Sequence, residues 1–174
     1  EWADISIENL LARNDMEARW AFNIPSLTRK IEGVNEGHLI EVGARPNTGK
    51  TSFHASMIAG DNGFARQGAR CVVLCNEESV HRVGMRYLTA SSNMNQYEIK
   101  DNPKLAHEKY GVVKENIKLY DSTGRDMAWV ESIAKSFKPD VVVLDMGDKF
   151  AKTAGFARQD EALKANAVHA RMIA

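Results

Sequence analysis

The chain has 174 residues and a mass of 19.4 kDa, enough for one sizeable core and too little for two full domains. Apolar residues make up 44% and charged residues 26%, which excludes a disordered tail. Lys plus Arg and Asp plus Glu each total 23, so the formal net charge is zero and any nucleic-acid site must be a local cluster.

Residues 5–20 carry an apolar spacing that predicts a short amphipathic helix. Pro25 and residues 33–37 mark turns. His38 to Ala44 predicts a strand, and Lys50 to about Gln67 a helix ending near Gly68. Arg70 to Asn76 holds Val72-Val73-Leu74, a buried strand. Ser79 to about Ala90 predicts a helix with Val83 and Tyr87 four apart. Residues 93–113 fit no single element, and Pro103 breaks any long helix there. Ile117 to Asp121 predicts a short strand. Asp126 to Phe137 predicts a helix with Trp129, Val130, Ile133, Ala134 and Phe137 on one face. Asp140 to Met146 contains Val141-Val142-Val143-Leu144, the strongest strand in the chain. Residues 159–174 read as helix without a Gly or Pro stop, as expected of a fragment of a larger protein. Apolar strands alternating with amphipathic helices predict an α/β fold, a mainly parallel sheet flanked by helices on both faces.

Two cysteines, Cys71 and Cys75, share one apolar run, and no second pair offers metal-ligand spacing. They read as reduced core thiols of a cytoplasmic protein. No apolar run is long enough to span a bilayer and no signal-peptide pattern opens the chain, so a membrane is not an expected partner.

The most informative segment is Ala44-Arg45-Pro46-Asn47-Thr48-Gly49-Lys50-Thr51, which follows a predicted strand and opens a predicted helix. It matches the phosphate-binding loop, Gly, four residues, Gly-Lys, then Ser or Thr, except that Ala44 stands at the first position. Such a loop turns backbone N–H groups and a helix N-terminus toward phosphate oxygens. Residues 44 to 49 with Lys50, Thr51 and Ser52 are therefore the candidate nucleotide-binding set. Lys50 would reach the β- and γ-phosphates and Thr51 would offer its hydroxyl to Mg²⁺. Asp145, after four apolar strand residues, would hold the same Mg²⁺. Cys71-Val72-Val73-Leu74-Cys75-Asn76-Glu77-Glu78-Ser79 is a second strand ending in acids. Hydrolysis needs a group that orients the attacking water, and spacing alone does not separate Glu77 from Glu78, which also fits a helix-start acid.

These three segments, in this order and spacing, resemble the RecA-like P-loop ATPase domain of DnaB-type hexameric replicative helicases, phage primase-helicases above all. Gly43-Ala44-Arg45-Pro46-Asn47-Thr48-Gly49-Lys50-Thr51 is similar to the family's first motif, where Ala at the first position is common. Asn76-Glu77-Glu78-Ser79 followed by Met85-Arg86 looks like its second motif, whose first acid, matching Glu77, is the catalytic glutamate. Asp140 to Asp145 resembles the Walker B strand, and Gly33-Val34-Asn35-Glu36-Gly37-His38-Leu39 the lead-in to the first strand.

The resemblance covers about residues 22–174 and implies an ATPase core there, with residues 1–21 as a linker helix region. It implies ATP or another NTP and Mg²⁺ as cofactors, single-stranded DNA as a partner and a homo-hexamer of the full-length protein. It implies the host cytoplasm as location if the protein is phage-encoded. The family's polar sensor, second DNA-binding loop and arginine finger would lie beyond Ala174, so the core is expected to be incomplete and weak or inactive alone. The loop over residues 147–158 would face single-stranded DNA, with Lys149, Lys152 and Arg158 on phosphates and Phe150 or Phe156 on bases. His54, His81, His107 and His169 have no ligand spacing and read as surface or helix residues. Two other functions fit the same motifs: a recombinase or KaiC-like regulatory ATPase, and a nucleotide-binding fragment with little turnover.

Overall fold

The computed structural model describes residues 6–8, 18–45, 47–150 and 164–170. Before the sheet come two helices, α1 (Pro25–Ile31) and α2 (Lys50–Ala59). The sheet consists of β1 (Cys71–Cys75), β2 (Ile117–Asp121) and β3 (Val141–Leu144), parallel and in the order β2-β1-β3. Parallel neighbours need crossover connections. Between β1 and β2 these are α3 (Val80–Ser92), α4 (Gln96–Asp101) and α5 (Pro103–Lys114), and between β2 and β3 it is α6 (Met127–Phe137).

β1 is the central strand; Cys71 lies opposite Ile117 on one side and Val141 on the other. Every residue of β1 is buried, because alternate side chains enter two different cores. Cys71, Val73 and Cys75 pack with Ala55 and Ile58 of α2, Val83 and Tyr87 of α3 and Val113 of α5. Val72 and Leu74 face Met127 and Val130 of α6. The predicted two-sided coverage of a parallel sheet is thus present, and so is the predicted apolar face of α6.

Several predicted elements differ in extent. Helix α2 stops at Ala59, well short of residue 67, because the chain turns sharply at Gly60 and again at Gly63. A Cβ on Gly63 would lie 2.5 Å from the carbonyl oxygen of Ile58, so the turn admits only glycine. Gln67 serves instead as a strut, donating to the carbonyls of Ala21 and Asn62 and accepting from the Ala21 amide. The unassigned stretch 93–113 resolves into α4, capped reciprocally by Asn95 and Glu98, and α5, which Pro103 starts rather than breaks. Of the helix predicted over residues 5–20, residues 7 and 8 are helical, residues 18–20 are not, and the rest lies outside the described residues. Trp20 forms an antiparallel bridge with Val34 instead. Residues 164–170 of the predicted C-terminal helix are helical, and the remainder lies outside the described residues.

The largest departure is the strand predicted over residues 38–44. It pairs with nothing in the sheet, and Leu39, Ile40 and Val42 are exposed. A strand forms where a neighbour satisfies its backbone groups. Among the described residues β3 pairs with β1 alone, and no ladder flanks residues 38–44. No described helix is long and apolar enough to cross a membrane.

Both cysteines are free and buried, as expected of core thiols. Burial pushes each thiol up to about 12, reinforced by Asp140 for Cys71 and by Asp145 and Asp121 for Cys75. A thiol reagent at pH 8 should therefore leave the native protein unlabelled and modify both cysteines once urea unfolds it, a difference that intact-mass measurement reads directly.

Candidate nucleotide-binding site

The tips of β1 and β3 and the start of α2 meet at one corner of the molecule, outside the carboxyl ends of the strands. Residues 43–45 and 47–49 form an exposed loop, and Pro46 lies outside the described residues. Asn47 and Gly49 adopt left-handed backbone, φ 60° and 94°. A Cβ on Gly49 would meet nothing within 4 Å, so its glycine is required by backbone conformation rather than by crowding. Thr48 closes the turn, its hydroxyl donating to the Arg45 carbonyl at 2.6 Å. Gly49 is the N-cap of α2 and no side chain caps the helix, so its leading N–H groups stay open toward an anion.

Lys50 Nζ lies 3.3 Å from Glu77 Oε2 and also contacts Met146 Sδ. One residue on, the Thr51 hydroxyl donates to Asp145 Oδ1 at 3.4 Å. Lys50, Thr51, Glu77 and Asp145, separated by up to 95 positions in the chain, are thus neighbours in space. Asp145 is 4% exposed, and its Oδ2 is buried without a hydrogen-bond partner. Burial pushes its carboxyl up, but hydrogen bonds from His54 and Thr51 and the charges of His54 and Lys50 outweigh that and hold it below the usual carboxylate range.

The two adjacent acids have separate tasks. Arg86 of α3 donates to both oxygens of Glu78, at 2.8 and 3.1 Å, and to the Ser52 hydroxyl at 3.2 Å. Glu78 is therefore committed to a clamp between α2 and α3. Glu77 instead points into the corner, between Lys50 and Lys149, whose Nζ is 3.9 Å from Glu77 Oε1. Asn76 was not singled out in the sequence, yet its amide makes a reciprocal pair with Met146, donating to the carbonyl at 3.0 Å and accepting from the N–H at 3.1 Å. That pair continues the β1–β3 pairing past the strand ends and fixes the residues next to Glu77 and Asp145.

His54 corrects the expectation of a surface or helix histidine without a role. Its Nε2 is 3.2 Å from Asp145 Oδ1 and its Nδ1 is 2.9 Å from the Tyr87 hydroxyl. The available signal was position: His54 follows Thr51 by three residues on α2 and shares its face. A second correction concerns the loop after β3. Phe150 is buried in the core beside Val72 and Leu74 and does not face a base. Lys152, Phe156 and Arg158 lie outside the described residues.

A sequence profile of the DnaB-like helicase C-terminal domain matches residues 21–145, most of the chain. The chain belongs to the DnaB-like helicase C-terminal domain family. Solved structures show the same fold. The ATPase domain of a phage helicase superposes with a TM-score of 0.74 at 17% identity, covering 98% of this chain and 67% of that one. A DnaB-like replicative helicase, solved to show its interactions with primase, superposes with a TM-score of 0.72 at 18% identity, covering 98% of this chain and 46% of that one. No curated protein sequence matches the chain. The fold of this DnaB-like domain is therefore that of RecA-like helicase ATPase domains, as the sequence resemblance implied.

The corner fits a small hard cation. It offers a hydroxyl, one carboxylate and an unpartnered buried carboxylate oxygen. No group of three His, Cys, Asp or Glu that would cage a metal occurs among the described residues. Mg²⁺ characteristically uses one or two carboxylates and completes its shell with phosphate and water.

Replacing Asn76 by Ala removes both bonds between the strand tips and leaves the Met146 N–H and carbonyl without them. Unfolding in urea should show a loss of about 1–3 kcal/mol, whereas an unchanged midpoint would deny the amide its bridging role.

Proposed function

We propose that the chain is the ATP-binding and ATP-hydrolysing motor domain of a replicative DNA helicase, with residues 22–174 as the motor core and residues 1–21 as a linker. The observation that carries this reading is the convergence of Lys50 and Thr51, at the start of α2, with Glu77 and Asp145 at the tips of two parallel strands. In this reading the open N–H groups of the 44–49 loop and of the first turn of α2 bind the phosphate tail. Lys50 exchanges its contact with Glu77 for the β- and γ-phosphate oxygens. Glu77, freed of Lys50, orients the attacking water and accepts its proton. Thr51 and Asp145 would hold Mg²⁺, which when bound neutralises charge on the phosphate oxygens. Asp145 is suited to this because it is ionised and has an oxygen to spare.

Lys149 touches Glu77 from the turn after β3. With Lys152 and Arg158 it forms the basic set proposed to meet single-stranded DNA, so strand binding would loosen a contact on the catalytic acid. The assembled protein would work as a homo-hexamer in the cytoplasm, each subunit lending charge to its neighbour's site. An arginine supplied in trans is worth ~10³-fold or more in turnover, so the chain by itself should turn over slowly.

Binding of a fluorescent ATP analogue and phosphate release test the reading. Lys50→Ala should weaken binding about 10- to 150-fold, the loss of one charge-assisted contact worth ~1.5–3 kcal/mol. Glu77→Gln should bind normally and lose about 10²–10⁴ in turnover in the assembled protein, while Glu78→Gln keeps most of it. Undiminished binding by Lys50→Ala, or undiminished hydrolysis by Glu77→Gln, would refute the assignment.

A further inference from the structure

The three-residue chain behind the Asp145 carboxylate has no place in the roles assigned so far. Tyr87 is fully buried on α3, and its hydroxyl lies 2.9 Å from Nδ1 of His54 on α2. His54 Nε2 in turn lies 3.2 Å from Asp145 Oδ1. The His54 side chain is 12% exposed and that of Asp145 is wholly enclosed. One tautomer satisfies all of these contacts. The Tyr87 hydroxyl, whose proton burial holds in place, donates to Nδ1, and the protonated Nε2 donates to the carboxylate. Thr51 donates to the same oxygen, Oδ1. Both donors therefore converge on one carboxylate oxygen, and the other, Oδ2, is left buried without a partner. A buried carboxylate oxygen without a bond is costly, and here the cost is concentrated on the atom nearest in kind to a metal ligand.

We propose that His54 is a positioning residue: anchored by Tyr87, it fixes the rotation of the Asp145 carboxylate so that Oδ2 is reserved for Mg²⁺. This rests on the nucleotide reading given above and adds to it a specific device, a Tyr–His–Asp relay between α3, α2 and β3. His54 touches neither phosphate nor metal. It acts by orienting a ligand, the way hydrogen-bond partners behind metal ligands generally act. Packing supports the device: the His54 and Tyr87 rings lie 5.8 Å apart, tilted by 46°, so the imidazole is held from its face as well as from its edge.

The test is Mg²⁺-linked binding of a fluorescent ADP to the 174-residue chain, with His54→Ala, His54→Gln and Tyr87→Phe beside the parent. Nucleotide affinity in EDTA should stay within about twofold for all three, because the phosphate loop is untouched, while the Mg²⁺ concentration that gives half of the metal-dependent tightening should rise about 10-fold in His54→Ala. His54→Gln can still donate to Asp145 and should return to within about threefold of the parent. Tyr87→Phe should shift in the same direction as His54→Ala but less, since the contact to Asp145 persists. An unchanged Mg²⁺ dependence in His54→Ala, or a His54→Gln variant as impaired as His54→Ala, overturns the role of His54 while the parent's binding upholds the nucleotide site. A parent chain that fails to bind the nucleotide in EDTA and in Mg²⁺ alike overturns the site itself, and the role of His54 with it.

Discussion

The arrangement depends on one buried polar contact, that of Asp145 with Thr51. Taking a carboxylate out of water is unfavourable unless donors replace the water. At the tip of β3 the donors come from α2, Thr51 and His54, one helical turn apart on one face. Below that turn, Ala55 and Ile58 of the same helix pack on Cys71, Val73 and Cys75. Apolar burial thus holds α2 on the sheet, and the carboxylate sets how far along the sheet the helix starts. The loop at residues 44–49 inherits its position from that start.

A second constraint is the continuity of β1 and β3 beyond their last ladder residues. The Asn76 amide stands in for one more peptide unit and keeps the strand ends parallel. From there the chain diverges: Glu77 turns toward Lys50 and Lys149, and Glu78 toward Arg86. Two chemically identical acids, adjacent in sequence, acquire different duties because successive side chains leave an extended segment on opposite sides. The acid clamped by a guanidinium is structural; the acid between two ammonium groups can change partners when an anion enters.

Much of this was legible in the sequence. The parallel strands announced themselves as apolar runs, and the helices by their spacing, as in the Val83 and Tyr87 pair, both fully buried on α3. Lys50, Thr51 and Asp145 were legible because phosphate and metal binding demand those residue types at those strand and helix ends. The choice between Glu77 and Glu78 was not, since it depends on where Arg86 lies in space. His54 escaped notice because a lone histidine on a helix carries no spacing signal; its role comes from Tyr87 and Asp145, distant in the chain. The segment 38–44 misled in the opposite direction. Its apolar pattern is that of a strand, but strand formation is a property of a neighbour as much as of the segment. Phe150 likewise looked available beside basic residues, yet it fills the core under α6.

Hydrogen–deuterium exchange with and without Mg²⁺ and a non-hydrolysable ATP analogue tests the central claim most directly. The account predicts slowed exchange of the amides from residue 47 to residue 53 on nucleotide binding, with α5 unchanged. Tight binding of the analogue that leaves those amides exchanging as before, with protection elsewhere, would contradict it.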